Sequence, residues 1–119
     1  MANEIQISVS LGVSKGGASD NRAEEFKVTM TGNSMTHSVQ GIPISTGEVL
    51  VEADELDTPG WVFIKNLDST NYITVGAHAT ANHIVRVNAG ETCVFRAATN
   101  IYAMANTAAC LVEYIIVED

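Results

Sequence analysis

The chain has 119 residues, of which 46% are apolar, 6% aromatic and only 17% charged, and its formal net charge is −8. That length suits one domain whose single core needs no staples and is filled mainly by aliphatic and small side chains. The acid excess and the scatter of the six cations (Lys15, Arg22, Lys27, Lys65, Arg86 and Arg96) argue against a nucleic-acid surface, which requires clustered Lys and Arg.

From Glu4 to Val13 the pattern has period two: Ile5, Ile7, Val9 and Leu11 point one way, Gln6, Ser8 and Ser10 the other. This predicts a half-buried strand. Ser14 to Asn21 is rich in turn formers and reads as a loop; residues 14–23, like 1–3, are expected to be a flexible arm or loop that orders on binding. Phe26, Val28 and Met30 alternate with Lys27, Thr29 and Thr31 as a second strand. Met35 to Gln40 reads as an edge strand, and Pro43 suits an edge or a strand start. Val49 and Val51 mark a strand over Gly47 to Ala53, followed by an acidic loop from Asp54 that ends in a Pro59-Gly60 turn.

Trp61 to Ile64 is apolar on both faces, the mark of a central strand. Lys65 to Asn71 turns the chain, and strands follow at Tyr72 to Gly76, His83 to Asn88, Thr92 to Arg96, Ile101 to Ala105 and Ala109 to Val117. Gly90 is expected to shape a tight hairpin. Eight to ten strands with turns about every ten residues, and no amphipathic helix, predict an all-β, single-domain antiparallel β-sandwich of jelly-roll-like form.

The chemistry-bearing residues form no catalytic pattern. His37, His78 and His83 lack metal-ligand spacing, and there is no CxxC or HExxH motif. Glu52, Asp54, Glu55 and Asp57 are the densest carboxylate cluster, but the calcium-loop pattern with its central glycine is missing, so a solvated loop is expected. There is no G-x-S-x-G elbow, and Gly16-Gly17 lacks the Lys-Ser/Thr of a phosphate loop. Cys93 and Cys110 are too few for a disulfide framework and read as buried thiols. No cofactor, metal or enzymatic activity is expected. No apolar run approaches the ~20 residues that span a bilayer. The first six residues have neither the basic region nor the apolar run of a leader, so folding in a cytoplasm is expected. Trp61, Tyr72 and Tyr102 are the candidate interface rings. Each has a competing reading as a core or strand-flanking residue, and for Trp61 the apolar neighbours favour the core.

The segment Gly60 to Gly76, in which a strand runs into Asn66-Leu67-Asp68-Ser69-Thr70-Asn71 and a second strand closes on Gly76, resembles small β-sandwich structural proteins of tailed bacteriophages. Ser14 to Ser19, Ala89-Gly90-Glu91, Phe95-Arg96, Tyr102 to Ala105 and Val112 to Glu118 continue the resemblance; Thr31 to Ala53 departs from it. In the turn, Asp68 and Asn71 are expected to accept hydrogen bonds from nearby backbone N–H groups.

The resemblance implies a non-catalytic virion component. The first expectation is a capsid decoration (cement) protein on the capsid exterior, bound to the major capsid protein lattice and homo-oligomeric, with a trimer as the guess. A tail or neck accessory and a host-surface glycan-recognition sandwich are the alternatives, the latter using Tyr72, Tyr102 or Trp61 as a platform. An enzyme acting on a surface polymer through Glu52, Asp54 or Asp57 comes third.

Overall fold

The structure is a computed structural model that describes residues 4–30, 32, 34–44, 48–49, 59–77 and 83–118. The arm at 1–3, His78, and the carboxylates Glu52, Asp54, Glu55 and Asp57 lie outside the described residues, as does most of the strand expected over Gly47 to Ala53. All described regular structure is strand. The chain divides into two compact units, Met1–Thr31 and Gly32–Asp119, where the sequence suggested one domain.

The first unit is a β-hairpin. β1 (Ile5–Lys15) and β2 (Ala18–Val28) pair antiparallel without a slip, from Ile5 opposite Val28 to Lys15 opposite Ala18. Only Gly16 and Gly17 are left for the turn, and Gly16 takes φ 57°, a left-handed conformation that favours glycine at the first turn position. Residues 14–23 are strand and tight turn in this structure, where the sequence reads as a loop. The turn formers of that stretch, apart from the two glycines, are polar strand residues cross-paired with β1.

The described residues of the second unit form a sandwich of eight strands: β3 (Met35–Ile42), β4 (Glu48–Val49), β5 (Pro59–Asn66), β6 (Ile73–Gly76), β7 (His83–Val87), β8 (Thr92–Arg96), β9 (Tyr102–Ala105) and β10 (Cys110–Glu118). One sheet has the order β3-β10-β5-β8, the other β4-β9-β6-β7. The partners nest: β3 pairs with β10, β4 with β9, β5 with β8, and β6 with β7, all antiparallel. The second unit is thus one long hairpin rolled into two layers, which is the jelly roll. Between the layers lie Ile42, Val62, Ile64, Ile73, Val75, Val87, Val112 and Ile116, with Ala103 and Ala105 as the small residues, each at most 2% exposed.

Three turns differ from the sequence reading. Pro59 and Gly60 are buried and open β5 instead of forming a type II turn; Gly60 has no positive φ, and its carbonyl accepts from Ala97 N at 2.8 Å. A proline costs no ladder bond at the first position of a strand. The Asn66–Tyr72 connection and the Gly90 turn are not hairpins, because β5 and β6, like β7 and β8, belong to different sheets. Both carry the chain from one layer to the other. Gly90 still needs its freedom, with φ 78°.

Candidate functional site

The crossing from β5 to β6 is organised by Asn66, the buried polar residue of the core. Its Nδ2 donates to the carbonyls of Asn71 (2.9 Å) and Val87 (3.1 Å), and its Oδ1 accepts from Asp68 N at 2.9 Å. Its backbone N donates to Glu91 O, and its carbonyl accepts from Gly90 N. One side chain therefore ties the β5–β6 crossing to β7, and its backbone ties it to the Gly90 turn. Asp68 Oδ2 caps Thr70 N (2.9 Å) and Asn71 N (2.6 Å), as the turn chemistry predicts. The N–H groups of Asn71 and then Thr70 hold the Asp68 carboxyl below its usual value. The Asn71 side chain instead accepts from Thr107 Oγ1 at 2.6 Å. This apparatus positions strands.

The three candidate rings do not converge. Trp61 is half-buried on β5, and since Val62 and Ile64 fill the core, alternation sends Trp61 and Phe63 to the outer face of the β3-β10-β5-β8 sheet. Trp61 is thus outside the core where its neighbours suggested it. Tyr72 and Tyr102 belong to the other sheet, with Tyr102 opposite Gly76 and Tyr72 bonded through its backbone to Asn106. Four residues separate those two positions, about 13 Å along the strand. The Arg86 guanidinium lies 3.8 Å from the Tyr72 ring centre, so one ring face is already capped by a cation.

The titratable groups are dispersed. His37 Nε2 pairs with Glu113 Oε2 at 2.8 Å on an open strand surface, and His83 Nδ1 bonds Thr74 Oγ1 at 2.9 Å. Among the described residues no three His, Cys, Asp or Glu side chains are grouped to hold a metal. Burial raises both thiols above their usual value, and the nearby Asp68 charge adds to this at Cys110. Such thiols are poor nucleophiles at neutral pH. An open cleft of about 240 Å³ lies where β7 and β8 meet, lined by Val75, Ile84, Val85, Phe95, Ala97 and Ile101 among others. Its described lining is mainly apolar, with no pair of acid, base or nucleophile side chains among the described residues.

What remains are surfaces. In the hairpin no described residue is buried. One face carries Gln6, Ser8 and Glu25, linked by Gln6 Nε2 to Glu25 Oε1 (3.1 Å) and Ser8 Oγ to Glu25 Oε2 (3.4 Å). The opposite face carries Ile5, Ile7, Val9, Leu11 and Val13 in a row, with Val28 and Phe26 across from the first two. Val9 is 49% exposed, Leu11 69%, Val13 46% and Phe26 40%. The period-two stripe is as expected, but it does not pack into a core. The signal was in the partner strand: Ser19 to Glu25 holds no large apolar residue, and Glu24, Arg22 and Asp20 sit opposite Val9, Leu11 and Val13. A strand destined for a core would not be paired with three charges on its inward face.

Comparison of the chain with protein-family models, curated proteins and solved structures finds no match.

Proposed function

We propose that this chain is a non-catalytic structural protein of a tailed-bacteriophage particle. In this reading it decorates the capsid exterior and grips the coat-protein lattice with the β1–β2 hairpin. The observation that carries the reading is the hairpin itself. A lone two-stranded ribbon is marginal in water, yet this one is long, in strict register, and lays an open apolar stripe along one face. Such an element gains its stability when the stripe is covered by another protein. The resemblance centred on Gly60 to Gly76 supplies the virion setting. The jelly roll does not choose between settings, since viral shells and lectins both use it. The capped ring of Tyr72 and the dispersal of Trp61, Tyr72 and Tyr102 weigh against a glycan platform.

The test is reconstitution. Particles stripped of the chain are titrated with wild-type protein and with a Leu11→Asp, Val13→Asp variant, and bound copies are counted. Saturation at hundreds of copies by the wild type alone, with a gain in heat resistance of the particle, supports the reading. Saturation at a few to tens of copies moves the chain to the tail or neck. Equal binding by the charged variant removes the hairpin from the contact.

A further inference from the structure

The outer face of the β3-β10-β5-β8 sheet has a composition that a solvent-facing sheet does not need. Register lays its outward residues out in rows. Val39, Glu113, Lys65 and Thr92 form one row across the four strands, and His37, Ile115, Phe63 and Val94 form the next. Met35 and Val117 pair beyond them, close to Trp61 and Arg96, and Leu111 lies opposite Gly41 at the other end. Met35 is 56% exposed, Val39 54%, Leu111 55% and Val94 39%. Trp61, Phe63, Ile115 and Val117 are half-buried. An antiparallel sheet covered on one side normally shows polar side chains on the other. Here the row of Ile115, Phe63 and Val94 is apolar on three adjacent strands, and Met35, Val39 and Leu111 add exposed apolar side chains around it.

We infer that this face seats a second copy of the same chain. Charge is the first argument. The whole chain carries −8, but among the described residues this face sets Lys65 and Arg96 against Glu113, with His37 paired to that glutamate. Among the described residues the sandwich acids Asp68, Glu91 and Glu118 are not in these rows, so the described part of the face sets little like charge against a second copy. The charges are also self-complementary. In a two-fold arrangement, where each residue's contact is returned by its equivalent, Glu113 of one copy can lie against Lys65 or Arg96 of the other. Nothing on the face is of one sign, as recognition of a strongly charged foreign partner would need.

Area is the second argument. From the exposures of Met35, Val39, Val94 and Leu111 and the half-buried residues between them, the open apolar surface is on the order of 500 Å², in the upper part of the range for the largest patch on a monomer. With the usual share of polar rim, an interface built on it buries roughly 800 Å² per copy, the size of an ordinary stable contact. A single tryptophan at the Met35 end of the face, with Phe63 two residues along the same strand, supplies the aromatic composition common in such contacts. The inference does not rest on the hairpin's role, because the residues concerned all belong to the sandwich.

The experiment uses the full chain. Sedimentation equilibrium across micromolar concentrations is run on wild type, on Val39→Lys with Leu111→Lys, and on Ile84→Lys. Ile84 lies on β7 of the other sheet and is 91% exposed. Wild type is expected to sediment at twice the chain mass or more, and the double variant as a monomer, weakened at least about thirtyfold. Ile84→Lys should match wild type. All three positions are open enough that the fold is retained, which circular dichroism melts check. Trp61 is the sole tryptophan, so dilution of the unmodified protein gives a reading that needs no variant: its emission should shift to the red as copies separate. A monomeric wild type, an oligomer that survives the double variant, equal dissociation by Ile84→Lys, or Trp61 emission that stays constant while the mass changes would each overturn the inference.

Discussion

Replacing Asn66 tests whether the two layers are held in register by one buried amide. Asn66→Ala removes three hydrogen bonds at a site with no exposed surface: two donated, to Asn71 O and Val87 O, and one accepted, from Asp68 N. At about 1 kcal/mol net for each bond, the loss is about 3 kcal/mol. For a unit of this size that lowers Tm by roughly 15 °C. Urea unfolding followed by circular dichroism measures it directly, with the midpoint moving and the slope unchanged. Asn66→Asp sharpens the test. It keeps the acceptor for Asp68 N but sets a carboxylate oxygen against two carbonyl oxygens that now receive 2.9 and 3.1 Å donors. Desolvation and those carbonyls raise the folded pKa of the new carboxyl above its unfolded value of about 3.9. The folded state then binds more protons, so stability falls as pH rises through and above that value. Asn66→Asp should thus be worst near neutrality and recover in acid relative to Asn66→Ala. A loss under about 1 kcal/mol for Asn66→Ala, or parallel pH profiles for the two variants, would refute the hub.

Gly90→Ala forces a side chain into φ 78°, where no neighbour lies within 4 Å of the added methyl, so only the backbone term of about 1 kcal/mol is lost. Gly41→Ala also meets open space but has no positive φ, and its melting curve should overlay wild type. Because backbone N–H groups of Asn71 and Thr70 depress the Asp68 carboxyl, its contribution is present above the unfolded value. It is lost as pH falls through the lower folded value. Asp68→Asn should flatten that acid limb in urea midpoints taken against pH, and an unchanged limb would mean the caps contribute nothing. Cys93 and Cys110 should alkylate slowly in native buffer and at a free-thiol rate once urea unfolds the sandwich. Fast native labelling of both would show that the β8 and β10 ends open.

Period-two alternation located most strands of the sandwich, including Thr92–Arg96 to the residue. It says nothing about which strands pair. In Asn66-Leu67-Asp68-Ser69-Thr70-Asn71 the residues that build a hairpin turn are also those that build a crossing between layers. Only the buried amide of Asn66, bonded to Val87 twenty-one positions away, separates the two cases. That bond is non-local and leaves no local pattern. The limits of β2 were missed because Ser, Asp, Asn and Gly favour turns by local side-chain bonding, whereas here the cross-strand ladder with β1 outweighs it.

Strands apolar on both faces require a closer reading than centrality. Trp61 to Ile64 suggested a central strand, and β5 and β10 are indeed the two inner strands of their sheet. Yet the middle of a sheet is not the middle of a molecule. A two-layer sandwich gives each strand one inward face, which Val62, Ile64, Val112 and Ile116 fill. The second apolar face, with Trp61, Phe63, Ile115 and Val117, finds no third layer in the sandwich to cover it. The same holds for Ile5 to Val13 in a hairpin with no layer of its own beneath it. Where strands carry more apolar faces than the layers of the fold can bury, the excess stays as open apolar surface, and it is on that surface that both proposed contacts are built.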